Sequence, residues 1–68
     1  MTFLYDAQVL EDLKSQDKVQ SHMLLDYFEK KYVHSEPLEK KGHVFKTGPW
    51  RILFLWEHQT IKVLRIIR

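Results

Sequence analysis

The chain has 68 residues, of which 44% are hydrophobic and 29% are charged, and its formal net charge is +2. This length predicts one small domain over residues 1–68, with a marginal core because so short a chain buries only about 60% of its unfolded surface. The sequence has no cysteine, which excludes disulfides and cysteine-based zinc sites, and it has no apolar run of the roughly 20 residues that span a membrane.

The small net charge hides a strong division of charge along the chain. Residues 1–39 carry four lysines and eight carboxylates, a net charge of −4, whereas residues 40–68 carry seven Lys or Arg and one carboxylate, a net charge of +6. These bases are interspersed with apolar residues, as they are on strands. This separation of charge predicts a polyanionic partner for the positively charged second half of the chain.

The N-terminal part predicts a strand followed by a helix. Residues Thr2–Tyr5 are β-prone and predict a short edge strand. From Ala7 to Leu13, apolar residues recur at three- and four-residue spacing, which predicts an amphipathic helix with Asp6 as its N-cap.

A second helix is predicted after a short polar break. Asp17 is its expected N-cap, and its wide apolar stripe assigns Met23, Tyr27 and Phe28 to the core. Two helices joined by so short a link predict an antiparallel hairpin. Pro37 prevents continuation of the helix, and residues 38–42 are expected to form a basic loop.

After Gly42 the hydrophobic period changes from that of helices to that of strands. The pattern predicts strands at His43–Lys46, Trp50–Trp56 and Thr60–Arg68, separated by a Gly-Pro turn and a polar turn. Apolar residues on both faces of Trp50–Trp56 favour a central strand. The predicted order is β-α-α-β-β-β, an α+β domain in which a helical hairpin packs on a small, mostly antiparallel sheet.

The stretch Thr47–Phe54 is a Gly-containing turn followed by an aromatic residue, an Arg and alternating apolar residues. Taken with the basic, apolar strand Ile61–Arg68 and the two helices before it, this stretch resembles the RelE/ParE superfamily of toxins from bacterial and archaeal toxin–antitoxin systems. The resemblance covers essentially the whole chain, rests on the order and spacing of the motifs, and lies nearer the RelE branch of mRNA interferases.

The resemblance implies a toxin that inhibits translation as an endoribonuclease, cutting mRNA at the ribosome without a metal. In this reaction the 2′-hydroxyl attacks the adjacent phosphate, which requires a base, cations around the phosphate and a proton donor. The implied partners are a cognate antitoxin, mRNA and the ribosome, with no membrane, and with DNA contacted only indirectly through the antitoxin. No cofactor is implied, and the absence of cysteine fits the reducing cytoplasm.

Two other functions stay open at this point. A ParE-like toxin inhibits DNA gyrase and needs no proton-transfer group, and an inactive relative binds nucleic acid without cleaving it. Many ribonucleases of the family continue past the last strand into a segment that supplies a His or a Tyr, whereas this sequence ends at Arg68. We therefore expect either different chemistry or a weak or absent activity.

The resemblance makes Arg51 the first candidate for stabilising the phosphate, because a guanidinium binds two phosphate oxygens at once. Lys46 matches a basic position of the family and is expected beside Arg51 across the Gly48 turn. The alternatives are an ion pair with a helix carboxylate for Arg51 and a solvated edge-strand lysine for Lys46.

His43 and Arg65 complete the predicted catalytic set. The pKa of a histidine suits proton transfer near neutrality, and His43 begins the strand that leads to Lys46. Arg65 is expected to share an apolar strand face with Ile61 and Val63, so it is either ion-paired or directed into a cleft, and we favour the cleft. By looser analogy, Glu39 is a candidate base.

Three further bases are predicted to bind RNA. Lys40 and Lys41 lie in the loop where family members place RNA-contacting bases, and Arg68 matches the terminal basic position. No metal site is expected, because the four histidines lack the close spacing of a metal motif.

Overall fold

The computed structural model describes all residues from Met1 to Arg68. The five strands are β1 (Thr2–Tyr5), β2 (Glu36–Pro37), β3 (Gly42–Thr47), β4 (Trp50–Glu57) and β5 (Thr60–Ile67). Between β1 and β2 lie the helices α1 (Ala7–Leu13) and α2 (Lys18–Lys31), followed by a 3₁₀ turn (Tyr32–His34). Neither helix combines the length and the apolar composition needed to cross a membrane.

The strands form one sheet in the order β1-β5-β4-β3-β2. Only the β1–β5 pair is parallel, and β4 is the central strand, as predicted. The predicted α+β fold, two helices on a mostly antiparallel sheet, is confirmed. The strand order is extended by β2, which the sequence did not predict. It pairs with β3 through Glu36 and Pro37, and at only two residues it has no alternation to detect.

Both predicted N-caps are present. The Asp6 carboxylate accepts a hydrogen bond from the backbone N–H of Gln8 at 2.9 Å, and the Asp17 carboxylate accepts one from the N–H of Gln20 at 3.3 Å. Each cap satisfies a backbone donor that has no partner inside its helix, which contributes about 1 kcal/mol. These caps fix where the two helices begin.

Phe28 is the buried side chain that connects α2 to the core. The buried ring of Phe28 lies 5.0 Å from the ring of Phe54 and 5.7 Å from that of Phe45, both in edge-on contact. The assignment of Met23 and Tyr27 to the core is wrong, because their exposed fractions are 66% and 48%. The small sheet covers only the stripe of α2 that contains Phe28. Met23 and Tyr27 are four residues apart on an adjacent stripe of the helix, which the sheet does not cover.

A β-bulge interrupts the pairing of β4 with β5. Leu53 is opposite Arg65 and Phe54 is opposite Val63, so Leu64 has no cross-strand partner. The extra residue reverses the alternation of faces beyond it. The prediction that Arg65 shares the face of Ile61 and Val63 is therefore wrong: Ile66 is the buried residue and Arg65 is exposed.

The carboxylate of Asp12 in α1 supplies a hydrogen-bond acceptor to the end of β5, where no strand lies beside it. Strand β1 ends at Tyr5, so the N–H of Ile66 has no strand beside it; it donates to the Asp12 carboxylate at 2.9 Å. The guanidinium of Arg65 donates to the same carboxylate from Nε at 2.9 Å and from an Nη at 3.0 Å. The hydrogen bonds from Arg65 and the N–H of Ile66 overcome the opposing effect of burial and lower the pKa of Asp12 to about 2.

This network predicts a specific loss of stability in acid. Because the pKa of Asp12 is lower in the folded chain than in the unfolded chain, its contribution is complete above about pH 4 and is lost as the pH falls towards about 2. The shift corresponds to about 2 kcal/mol of unfolding free energy. Urea unfolding at a series of pH values should show this loss of unfolding free energy between about pH 4 and about pH 2 in the wild type. The Asp12→Asn variant should not show it.

A matched control is Asp26→Asn, which removes a carboxylate paired with Lys30 at 3.2 Å on the exposed surface of α2. Surface pairs of this kind contribute less than about 1 kcal/mol. An acid dependence in Asp12→Asn equal to that of the wild type would contradict the assignment to Asp12.

Candidate nucleic-acid interface

The two faces of the sheet have different environments. One face packs against the helices and contains the core aromatic and branched residues. The register places a second set on the other face, which we call the open face: Thr2, Leu4, Glu36, Val44, Lys46, Arg51, Leu53, Leu55, Glu57, Thr60, Lys62, Arg65 and Ile67. Of this set only Val44 is buried, so the open face is accessible to a ligand.

Lys46 and Arg51 are direct cross-strand partners on the open face. The two-residue turn between β3 and β4 fixes this register, and its first residue, Gly48, has a φ of 54°, which glycine adopts without strain. Like charges directly opposite each other destabilise a sheet, because their Cβ atoms are only about 5 Å apart. A bound anion relieves this repulsion, so the pair forms a candidate phosphate site.

Glu36 is a site residue that the sequence pattern did not predict. One of its carboxylate oxygens lies 3.2 Å from Nζ of Lys46. By contrast, Arg51 makes no ion pair and no side-chain hydrogen bond. The candidate base from the sequence is Glu39, in the loop predicted over residues 38–42, and no strand is predicted at residues 36–37, where β2 forms. The signal was Pro37, which favours extended backbone in the residue before it and so places Glu36 on a strand.

His43 does not lie with the two cations. Its ring stacks on Phe54 at 5.4 Å with an interplanar angle of 19°, on the helix-covered side of the sheet. Its Nδ1 is 3.1 Å from the carbonyl oxygen of Lys41. Because His43 and Lys46 are three residues apart on one strand, their side chains point to opposite faces. The structure therefore separates the predicted histidine from Lys46 and Arg51.

Arg65 is ion-paired. Both bonds from its guanidinium go to Asp12, whose side chain is only 7% exposed, and this pair raises the pKa of Arg65. Of the two alternatives from the sequence, the structure shows the paired one and not the open cleft. In this position Arg65 stabilises the attachment of α1 to β5 and offers little to a phosphate.

The three predicted RNA-binding residues have different surroundings. Lys41 forms an ion pair with Glu57 at 2.5 Å, and the guanidinium of Arg68 lies 5.4 Å from the ring centre of Trp50, a cation–π contact. Lys40 makes no ion pair. A fourth base, Lys62, was missed although the alternation of β5 places it opposite Leu55 on the open face, also without an ion pair.

Nothing in the arrangement resembles a metal site, since no three His, Asp or Glu residues are grouped to hold an ion. The site consists instead of cations on a flat face, with one carboxylate beside them. Such a set can bind and stabilise phosphate groups electrostatically, and the carboxylate can accept a proton.

Comparison with solved structures identifies the fold. The chain matches the crystal structure of the toxin–antitoxin complex RelBE2 from Mycobacterium tuberculosis with a TM-score of 0.80 and 16% sequence identity, over 98% of this chain and 88% of the other. The chain has the RelE fold. No protein-family model matches the sequence, and no curated protein matches it either. The fold that the sequence resemblance implied is confirmed by this neighbour, which matches almost the whole chain.

The candidate phosphate site at Lys46 and Arg51 predicts stabilisation by anions. Inorganic phosphate at ten times its Kd should raise the Tm of the wild type by about 10 °C, because a ligand that binds only the folded state stabilises it by about 1.4 kcal/mol. Arg51→Gln should remove most of this rise. Lys31→Gln, which deletes an exposed, unpaired base from α2, should keep it, and equal rises in both variants would show non-specific screening. Differential scanning fluorimetry measures all three.

Proposed function

We propose that this protein is the toxin of a toxin–antitoxin module and that it inhibits translation by cleaving mRNA at the ribosome without a metal. One observation supports the proposal above the rest: a RelE fold with Lys46 and Arg51 directly opposite each other on its open face, where Lys46 is paired with Glu36 and Arg51 has no carboxylate partner. The phosphate of an RNA strand is an anion of the right kind.

The chemistry follows from the groups at this face. The 2′-oxygen of a nucleotide attacks the adjacent phosphorus, so that a cyclic phosphate forms and the bond to the 5′-oxygen of the next nucleotide breaks. Negative charge increases on the phosphate oxygens in the transition state, where Arg51 and Lys46 stabilise it. Glu36, beside Lys46, accepts the proton of the 2′-hydroxyl, and the leaving oxygen takes a proton from solvent.

His43 and Arg65, the other predicted catalytic residues, have structural roles in this proposal. His43 packs on Phe54 and contacts the loop before β3, and Arg65 binds Asp12. Both support the sheet that presents the cations.

The proposal includes a protein partner. The RelBE2 neighbour is a toxin–antitoxin complex, and we infer a cognate antitoxin for this chain in the cytoplasm. Such a partner neutralises the toxin by covering the open face, and only through it does the chain contact DNA. A small domain also gains stability from any partner that binds its folded state alone.

The deciding experiment adds purified protein to a translation extract and maps the mRNA ends. The wild type should cut mRNA only when ribosomes are present, and Arg51→Ala should lower the cleavage rate at least about 10²-fold, as loss of a transition-state donor does. Lys31→Ala is the control of equal charge change. If translation continues while DNA supercoiling by gyrase stops, the ParE-like alternative holds and the proposal fails.

The role of Glu36 has its own test with a matched control. Glu36→Gln keeps the shape of the side chain and removes its basicity, so cleavage should fall by about 10²-fold to 10⁴-fold with RNA binding retained. Glu39→Gln, three residues along the chain, should leave the rate within about twofold. Equal effects in the two variants would contradict a role for Glu36 as the base.

A further inference from the structure

A pocket lies on the open face at the end of the sheet away from Lys46 and Arg51. Its volume is about 350 Å³, which is within the range of about 300–1,000 Å³ for small-molecule sites. The lining residues are Leu4, Leu55, Glu57, His58, Thr60 and Lys62. The mechanism proposed above uses none of them.

The register explains how the pocket is built. Leu55, Lys62 and Leu4 form one cross-strand row over β4, β5 and β1, and Glu57 and Thr60 form the next row. Leu4 is 49% exposed and Leu55 is 38% exposed, so the floor is apolar and uncovered. The polar lining residues lie beside this apolar floor. An apolar surface with a few polar groups at its edge is typical of a ligand site.

The polar groups offer both kinds of hydrogen-bonding partner. Lys62 is a donor without an ion pair, and the hydroxyl of Thr60 donates and accepts. Glu57 is held by Nζ of Lys41 at 2.5 Å. The hydrogen bond and the charge of Lys41 lower the pKa of Glu57, whose carboxylate is a hydrogen-bond acceptor. A flat ligand with a polar edge fits this combination.

The pocket is continuous with the phosphate site. Arg51 and Leu55 lie on the same face of β4, four residues apart, which is about 13 Å at the rise of a β-strand. Lys62 adds a cation beyond them along the same face. A single RNA strand that places a phosphate between Lys46 and Arg51 therefore reaches the pocket within a few nucleotides.

We propose that the pocket binds one nucleobase of the RNA strand held at Lys46 and Arg51, with the base against Leu4 and Leu55 and with its exocyclic amine donating to Glu57. This inference rests on the proposed function for its ligand and adds to it a source of sequence preference. Cytosine and adenine present such an amine, whereas uracil has a carbonyl in place of the cytosine amine.

Charge favours a base over an acidic peptide as the occupant. A peptide carboxylate entering beside Glu57 meets a like charge, whereas an amine on a neutral ring meets an acceptor without bringing a charge. The alternative occupant, a segment of a protein partner, becomes one of the outcomes of the test.

The test measures binding of short RNA oligonucleotides by fluorescence anisotropy. Every 2′-hydroxyl carries a methyl group, which prevents cleavage and so separates binding from chemistry. The oligonucleotides differ at one position, which is cytosine, adenine, uracil or abasic. We expect cytosine and adenine to bind about tenfold more tightly than uracil, and the abasic probe to bind most weakly.

Two variants and one control locate the preference. Glu57→Gln should reduce the tenfold preference over uracil to about twofold while keeping the fold, as shown by an unchanged circular dichroism spectrum. Leu55→Ala should weaken binding of the cytosine probe about tenfold and bring it near the abasic level. Ile67→Ala alters a side chain on the same face with the same exposure of 38%, outside the pocket, and should keep the base preference.

Each remaining outcome is decisive. Equal affinity for the abasic and base-containing probes would overturn the proposal that the pocket binds a base. A Leu55→Ala protein that binds RNA as the wild type does but loses its protein partner would overturn it too, and would assign the pocket to that partner. Cleavage of mRNA without any base preference removes the pocket alone. A base preference without cleavage removes the proposed function and leaves the pocket as a nucleic-acid site.

Discussion

The pleat of the strands is the constraint on which this molecule depends. Each strand directs alternate side chains to opposite faces, and two short helices cover only one of those faces. Ile52 and Phe54 are therefore buried on one side of β4 while Arg51 and Leu55 are exposed on the other. The same alternation that builds the core also builds a flat cationic surface, so the fold and the candidate site have one physical origin.

The positive charge of the second half is less available than its net value of +6 suggests. Lys41, Lys46 and Arg65 each bind a carboxylate, and Arg68 lies over Trp50. Arg65 in particular uses its charge to attach the first helix to the last strand. Lys40, Arg51 and Lys62 have no carboxylate partner, and of these three bases only Arg51 lies opposite another cation, Lys46. We therefore place the proposed phosphate contact at Arg51.

Much of the fold could be predicted from the sequence because it depends on local rules. Helix caps at Asp6 and Asp17, the change of period after Gly42 and the turn at Gly48 all follow from the chemistry of a few adjacent residues. The turn at Gly48 also sets the strand register that places Lys46 opposite Arg51. The features that were missed depend on distant parts of the chain. The sheet is too narrow to cover Met23, and a two-residue strand gives no periodic signal.

Of the candidate site, the sequence predicted the two cations and missed their surroundings. His43 was predicted from its nearness to Lys46 along the chain, yet an odd separation on a strand means opposite faces. Glu36 was missed because its strand was missed. Lys62 was missed because a single lysine among apolar residues gives no motif.

The bulge at Leu64 has a consequence for comparing this chain with its structural relatives. It shifts the alternation of β5 by one residue, so that Ile66 faces the core and Arg65 does not. A relative with a regular last strand would present its terminal bases one position earlier or later. A gap-free alignment would then match a surface arginine with a core isoleucine, and residues of equal role would be paired only if a gap were placed at position 64.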